Sequence, residues 1–156
     1  MQIIVKNPAA MQRFGAALAT LCQPGCIIYL EGELGAGKTT LVRGFLHKLG
    51  WHGHVCSPTF TLLEPYKLAT VTVYHFDLYR LQRAEELIYI GSRDCFTKQN
   101  ICLVEWAERG QGFLPKADLL CNFIFGNQGK RRVELTAHSG AGANVINNLH
   151  YDDAKS

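Results

Sequence analysis

Residues 32–39 read Gly-Glu-Leu-Gly-Ala-Gly-Lys-Thr, which matches the phosphate-binding pattern Gly-x-x-x-x-Gly-Lys-[Ser/Thr]. Residues 26–30 before it form an apolar, partly β-branched run without alternation, which predicts a buried strand. A helix is predicted from about Lys38, because one apolar stripe at helical spacing follows. The stripe consists of Leu41, Val42, Phe45, Leu46 and Leu49. A phosphate-binding loop between a strand and a helix predicts a P-loop α/β fold, with its site at the carboxyl end of that strand.

The residue types of this loop suit the chemistry of a triphosphate. Its glycines allow positive φ angles and let backbone amides approach phosphate oxygens at the positive end of the helix dipole. Lys38 would reach the β- and γ-phosphates, the Thr39 hydroxyl would be a Mg²⁺ ligand, and Thr40 adds a hydroxyl on the same turn. The predicted cofactor-binding residues of the loop are Glu33, Leu34, Gly35, Ala36, Gly37, Lys38, Thr39 and Thr40. The alternative is a glycine-rich turn that only caps a helix, but a chance match in such a chain occurs about once in a hundred.

The composition indicates one compact domain without a targeting or membrane segment. The chain has 156 residues, of which 47% are hydrophobic and 19% charged, and this length leaves no room for a second domain. The net charge of +3 is small and the basic residues are scattered along the sequence, so the composition does not establish a nucleic-acid-binding groove. The basic residues 130–132 are interpreted as a solvent-exposed edge. The six cysteines form no Cys-x-x-Cys pair, which favours a reduced, cytoplasmic protein. A metal site built from His52, His54 and Cys56 is conceivable, because in a strand these alternate residues would lie on one face, but no fourth ligand is evident.

The rest of the chain divides into predicted strands and helices. Strands are predicted at 2–6, 71–76 and 101–104, and a short helix over 83–89. A helix is predicted from Asn7-Pro8 to about residue 21, and residues 118–125 and 131–138 form a hairpin around Gly-Asn-Gln-Gly. From residue 139 the sequence is small and polar without sustained periodicity. We therefore expect a P-loop domain over residues 1–138 and a flexible tail over residues 139–156.

Two predicted strands each end in a carboxylate. Asp77 follows the strand at 71–76, which we place next to the phosphate-loop strand. An aspartate at this position would reach Mg²⁺ directly or through water. The alternative is an aspartate that only caps a helix or stabilises a turn. Glu105 follows the strand at 101–104 and would coordinate a metal through water or position the attacking nucleophile, unless it is an exposed strand end. Trp106, which comes next, is either core packing or part of the site.

The hydroxyl-rich segment 57–61, Ser-Pro-Thr-Phe-Thr, follows the helix of the phosphate loop. Its position is that of a segment that senses the γ-phosphate. The proline and the hydroxyls suit an ordinary turn into a strand equally well.

Four blocks of sequence together resemble the TsaE family, also called YjeE, of small bacterial ATPases in tRNA threonylcarbamoyladenosine synthesis. The blocks are residues 32–41, 57–60, 75–81 (His-Phe-Asp-Leu-Tyr-Arg-Leu) and 104–106 (Val-Glu-Trp). They occur in the order and spacing of the family over about residues 1–138, while residues 139–156 match no family block. The resemblance is specific, because P-loop proteins in general do not share the last three blocks.

The resemblance implies a single P-loop NTPase domain with a mixed parallel and antiparallel sheet flanked by helices. It implies Mg²⁺-dependent ATP hydrolysis, slow in the isolated protein, and association with TsaB and TsaD, with tRNA reached only indirectly through that complex. TsaD would transfer the threonylcarbamoyl group, and the ATPase would support its turnover. By this resemblance the catalytic residues are Lys38, Asp77 and Glu105, the metal ligands are Thr39, Asp77 and Glu105, and Thr59 and Trp106 join the cofactor-binding residues.

Three other functions compete with this hypothesis. A small P-loop kinase for a metabolite or nucleoside would carry an arginine-rich lid, which the sequence lacks. A GTP-binding switch would carry an Asn-Lys-x-Asp signature, which is also absent. A nucleotide-gated interaction module, whose hydrolysis is incidental, is not separated from an ATPase by sequence.

Overall fold

A computed structural model describes residues 1–152, which form a seven-stranded sheet with helices on both faces. The strands are β1 (Gln2–Val5), β2 (Ile27–Glu31), β3 (Leu63–Lys67), β4 (Thr72–Asp77), β5 (Asn100–Glu105), β6 (Leu119–Phe125) and β7 (Arg131–Ala137). The helices are α1 (Pro8–Leu21), α2 (Lys38–Lys48), α3 (Glu86–Tyr89) and α4 (Gly140–Asn148). Short 3₁₀ turns lie at Ser92–Cys95, Ala107–Gly110 and Asn127–Gly129.

The sheet mixes parallel and antiparallel strands in the order β1-β7-β6-β2-β5-β4-β3. The four central strands are parallel, because β2 pairs in that direction with both β5 and β6, and β5 pairs likewise with β4. The outer strands add antiparallel pairs, including the β6–β7 hairpin. The predicted single-domain α/β fold with a mixed sheet is confirmed.

Alternation along the central strands assigns their side chains to two separate cores. Ile28 and Leu30 of β2 face α1 and α2, while Ile27 and Tyr29 face the α3 side. On β4 and β5 the same parity turns residues 73, 75, 77, 101, 103 and 105 toward the α2 face. Since α2 begins at the phosphate loop, the carboxylates at 77 and 105 lie on the side of the sheet where a nucleotide would bind.

Helices α1 and α2 cross at two glycines, which sets the position of the phosphate loop over the sheet. A Cβ atom on Gly15 would lie 2.1 Å from the backbone oxygen of Leu41, and one on Gly44 would lie 2.0 Å from that of Gln12. No larger residue fits at either point, because the clash is with backbone. Asn7 caps α1, its side-chain oxygen accepting from the amide of Ala10 at 2.8 Å.

The predicted flexible tail is wrong for residues 139–149, which form the capped and packed helix α4. The Ser139 side chain accepts from the amide of Gly142 at 3.2 Å and donates to Asp118 at 2.6 Å. Val145 and Leu149 are 2% and 4% exposed and belong to the core under α1 and β7. Glycine and asparagine, which are poor helix formers, hid the helix in the sequence, but the Ser139 cap and the apolar Val145, Ile146 and Leu149 dock it. Residues 153–156 of the predicted tail lie outside the described residues.

No helix within residues 1–152 combines the length and hydropathy that a membrane span requires.

Candidate functional site

The phosphate loop has the backbone geometry that its glycines predict. Gly32, Gly35 and Gly37 have φ angles of 144°, 76° and 108°, all in the left-handed region. Gly32 also lies against β6, where an added Cβ would meet the backbone oxygen of Phe123 at 2.7 Å, whereas no atom lies within 4 Å of a Cβ on Gly35. Gly37 is the N-cap residue of α2. The loop therefore leads its amides to the helix N-terminus and leaves open space at its centre.

Lys38 is 5% exposed and points back over the loop. Its ammonium donates to the backbone oxygens of Gly32 and Glu33, the latter at 3.2 Å, and lies 4.6 Å from the ring centroid of Trp106. Burial lowers the pKa of this ammonium, and the carboxylates of Glu105 and Asp77 act in the opposite direction. The buried cation is thus held between loop carbonyls, an aromatic face and two acids.

Asp77 and Glu105 are directly opposite each other in the β4–β5 register and are 4% and 3% exposed. Asp77 accepts from the hydroxyl of Ser57, from the hydroxyl of Thr59 at 3.1 Å and from the amide of Tyr79 at 3.0 Å. These bonds satisfy a buried carboxylate that would otherwise be strongly destabilising. The hydroxyl-rich segment at 57–61 is therefore anchored to Asp77.

Glu105 is bound from two other directions. Its Oε1 accepts from the Thr39 hydroxyl at 3.4 Å and lies 2.9 Å from Nε2 of His75. Thr39 is the second residue of α2, so Glu105 connects the sheet to the start of the phosphate-loop helix.

The predicted neighbour relation between Asp77 and the phosphate-loop strand is wrong. β5 lies directly beside β2, with Glu105 opposite Leu30, and β4 with Asp77 lies one strand farther out. Chain order does not set strand order in a parallel sheet, because the connections cross over. The acid nearest the phosphate loop is therefore Glu105.

Trp106 lies at the rim of the site and is partly exposed, so it is not simple core packing. Its backbone is left-handed, with φ 57° and ψ 43°, a conformation uncommon for a large residue. Besides Lys38, its ring faces Tyr79, with centroids 5.0 Å apart, and Arg109, whose guanidinium carbon is 5.8 Å from the ring centroid.

One cleft of about 250 Å³ brings nearly all the predicted site residues together. It is lined by Leu34, Gly35, Ala36, Gly37, Lys38, Thr39, Thr40, Ser57, Thr59, Asp77, Glu105 and Trp106. Glu33 is the exception, because it lines a neighbouring cleft, although its backbone carbonyl binds Lys38. A hydroxyl and two carboxylates are the hard oxygen donors that Mg²⁺ prefers, and Mg²⁺ sites commonly use few protein ligands beside phosphate and water. The residues therefore fit a magnesium nucleotide.

Several residues of the site were not assigned from sequence. Ser57 and His75 occupy positions in the quoted blocks, but only the structure shows that they contact the two carboxylates. The signal for His75 was its spacing of two from Asp77, which places both on one face of a strand. Arg131, interpreted as part of a solvated edge, donates to the backbone oxygen of Gly35 at 3.4 Å.

A second cavity, of about 100 Å³, adjoins the other side of the loop. Asn7, Met11, Gly37, Thr40 and Arg131 are among its lining residues, so it lies between the start of α1 and the β6–β7 hairpin. Gly35, Ala36, Gly37 and Thr40 line both cavities, so the two cavities adjoin along the phosphate loop.

The alternative metal site at residues 52–56 receives no support. Within residues 1–152 no three His, Cys, Asp or Glu side chains are grouped so that they could hold a metal ion. All six cysteines are free thiols, and five of them are buried.

Comparison with known proteins finds relatives that carry the same family description. A family profile described as "Threonylcarbamoyl adenosine biosynthesis protein TsaE" matches residues 5–133. The tRNA threonylcarbamoyladenosine biosynthesis protein TsaE of Haemophilus influenzae is 47% identical, over 91% of this chain and 92% of that protein. The TsaE protein of Bacillus subtilis is 36% identical, over 84% of this chain and 82% of its own. The crystal structure of YdiB from Bacillus subtilis superposes with a TM-score of 0.82 at 30% identity, covering 96% of this chain and 93% of that chain.

Proposed function

This chain belongs to the TsaE family of threonylcarbamoyl adenosine biosynthesis proteins, and on that premise we propose that it is an Mg²⁺-dependent ATPase. In this proposal it acts as an accessory subunit of the tRNA-modifying complex, and its ATP hydrolysis supports turnover of the threonylcarbamoyl transferase. The observation that carries the proposal is the convergence of Lys38, Thr39, Asp77 and Glu105 on one cleft at the phosphate loop.

Each of these groups has a physical task in phosphoryl transfer. Lys38 and the amides at the start of α2 neutralise phosphate charge, the triphosphate replacing the loop carbonyls that now bind the ammonium. Thr39 and the two carboxylates would hold Mg²⁺, which supplies charge neutralisation at the β- and γ-phosphate oxygens when bound. Glu105, buried beside the loop, orients the attacking water. Thr59, which bonds to Asp77, would respond to the γ-phosphate.

The nucleoside would extend from the phosphate loop into the cavity between α1 and the β6–β7 hairpin. Support comes from Thr40, which lines both cavities, so the second cavity begins beside the phosphate loop. Met11 offers an apolar contact for a base, and Asn7 offers a polar group.

Partners are part of the proposal because two arginines near the site, Arg43 and Arg80, are engaged elsewhere. Arg43 donates to the backbone oxygen of Val55 at 3.1 Å, and the guanidinium carbon of Arg80 lies 4.1 Å from the ring centroid of Phe60. Phosphoryl transfer is commonly accelerated by an arginine supplied in trans. We propose that association with TsaB and TsaD, in the cytoplasm, completes the site, and that tRNA is contacted only through that complex.

The test is ATP turnover by the chain alone, then with TsaB and TsaD, and then with tRNA added. Lys38→Ala should abolish turnover, while Lys48→Ala, an exposed lysine at the end of the same helix, should leave it intact. Undiminished hydrolysis by Lys38→Ala would overturn the assignment of the site. Absence of stimulation by the partners would count against the complex.

The same assay separates the competing functions. A phosphorylated metabolite that accumulates as ATP is consumed would identify a kinase, and a preference for GTP would identify a GTP switch. A Glu105→Ala variant that binds ATP, hydrolyses it only at a small residual rate and still supports tRNA modification at the wild-type level would identify an interaction module.

A further inference from the structure

His75 has a buried imidazole to which the proposed mechanism assigns no role. Its side chain is 0% exposed and lies on β4, on the same face as Asp77. Nε2 is 2.9 Å from Oε1 of Glu105. Because an ionised carboxylate only accepts hydrogen bonds, Nε2 carries the hydrogen in this contact.

The other ring nitrogen shows that this position is not optimised for packing alone. Nδ1 is buried and has no hydrogen-bond partner among the described residues. An unpaired buried polar atom destabilises a fold by about 1–3 kcal/mol. Val73 and Leu103, which share this face of the sheet, are apolar and fully buried, so an apolar residue would suit the surroundings. What the imidazole adds is the hydrogen bond to Glu105.

That hydrogen bond determines how the Glu105 carboxylate is oriented. Both hydrogen bonds that the Glu105 side chain receives within residues 1–152 end on Oε1, one from His75 and the other from Thr39. Fixing Oε1 from two directions restrains rotation of the carboxylate. Oε2 then remains for water or a ligand in the cleft that Glu105 lines.

We propose that His75 is a positioning residue that holds Glu105 in the orientation required for ATP hydrolysis. The inference rests on the proposed function, because a misplaced Glu105 is detected through turnover. A hydrogen bond of this kind, to a residue that contacts the reacting groups, commonly changes activity by about 10–100-fold when it is removed.

The test compares His75→Phe, which keeps a ring and removes the donor, with His75→Gln, which keeps a donor at the distance of Nε2. We expect His75→Phe to lower the single-turnover rate of ATP hydrolysis by about 10–100-fold, with ATP affinity changed by less than about threefold. His75→Gln should recover part of the rate. Val73→Ala, a buried change on the same face of β4, should retain the wild-type rate within about twofold.

A double-mutant cycle separates positioning from a general loss of structure. If His75 acts through Glu105, His75→Phe should slow a Glu105→Ala variant by less than about twofold further. Each of three outcomes would overturn the inference. His75→Phe could hydrolyse ATP at the wild-type rate, or the Phe and Gln variants could have equal rates. The third outcome is that His75→Phe slows hydrolysis as strongly in the Glu105→Ala background as in the wild type. If His75→Phe does not fold, His75→Asn replaces it, because the asparagine side chain is too short to reach Glu105. A wild-type rate of ATP hydrolysis in His75→Asn overturns the inference equally.

The failures of the two proposals are distinguishable. A wild-type chain that hydrolyses no ATP, alone or with TsaB and TsaD, refutes the proposed function and the positioning role with it. A wild-type chain that hydrolyses ATP while His75→Phe matches its rate refutes the positioning role alone.

Discussion

Asp77→Asn should stabilise the nucleotide-free protein and abolish most of the ATP hydrolysis that we propose for this chain. The carboxylates of Asp77 and Glu105 are opposite each other on neighbouring strands and are 4% and 3% exposed. Two charges about 5 Å apart, the spacing of neighbouring strands, repel by about 3 kcal/mol at an effective dielectric constant of about 20. Loss of the attraction between Asp77 and Lys38 offsets part of this relief. We expect a net gain of about 1 kcal/mol, which raises the Tm by about 2–4 °C in a domain of this size.

The amide of asparagine preserves the hydrogen bonds around this position. Its oxygen can accept from the backbone amide of Tyr79, which cannot reverse its role. Its NH₂ group then faces the hydroxyls of Ser57 and Thr59, which can rotate to accept. Asp77→Ala lacks both groups and leaves these donors unpaired, so it should destabilise by about 1–3 kcal/mol.

Thermal unfolding without nucleotide, and Mg²⁺-dependent ATP hydrolysis, measured on both variants, check this reasoning. Asp77→Asn should show the raised Tm together with a rate reduced by about 100-fold or more, as for removal of a preorganised charge from a transition state. A Tm that falls in Asp77→Asn as far as it does in Asp77→Ala would refute the repulsion argument. A rate within about threefold of wild type would refute a role for the charge of Asp77.

Two further predictions concern stability. Leu149→Ala should lower the free energy of unfolding by about 2–4 kcal/mol, because the side chain is 4% exposed in the core beneath α4. Asn147→Ala, on the exposed side of α4, should change the free energy of unfolding by less than about 0.5 kcal/mol. Equal urea midpoints for the two variants would mean that α4 is not docked. Burial, with a smaller contribution from Asp94, raises the pKa of the Cys95 thiol from 9.0 to about 11. The unfolded chain therefore ionises first, so this contribution to stability is complete below about pH 9 and is lost as the pH rises through 11. Urea unfolding between pH 8 and 10.5 should show a falling midpoint in the wild type and a shallower fall in Cys95→Ala; identical slopes would contradict the assignment.

The site lies between a tightly packed helix pair and an irregular loop. The phosphate loop and α2 are held by the backbone contacts at Gly15 and Gly44. The segment that carries Ser57 and Thr59 is an irregular loop between α2 and β3, attached to the site by hydrogen bonds to Asp77. Loops of this kind are the usual elements that rearrange when a phosphate group is bound or lost.

The phosphate loop, the strand before it and the helix after it were determined by sequence alone. These features depend on local rules: glycines at positive φ, an apolar run, and an apolar stripe of helical period. The same rules predicted strands ending at Asp77 and Glu105 and the hairpin of β6 and β7. Each of these elements is specified by residues close to one another in the chain.

Only the tertiary structure decided which elements become neighbours. The insertion of β5 between β2 and β4 makes Glu105 the acid nearest the phosphate loop, and no local pattern encodes strand order. The hydrogen bond between His75 and Glu105, which are 30 positions apart in sequence, depends on the register of the parallel strands β4 and β5. The docking of α4 depends on a surface assembled from α1, β6 and β7, so a segment of small and polar residues becomes a helix only when that surface exists.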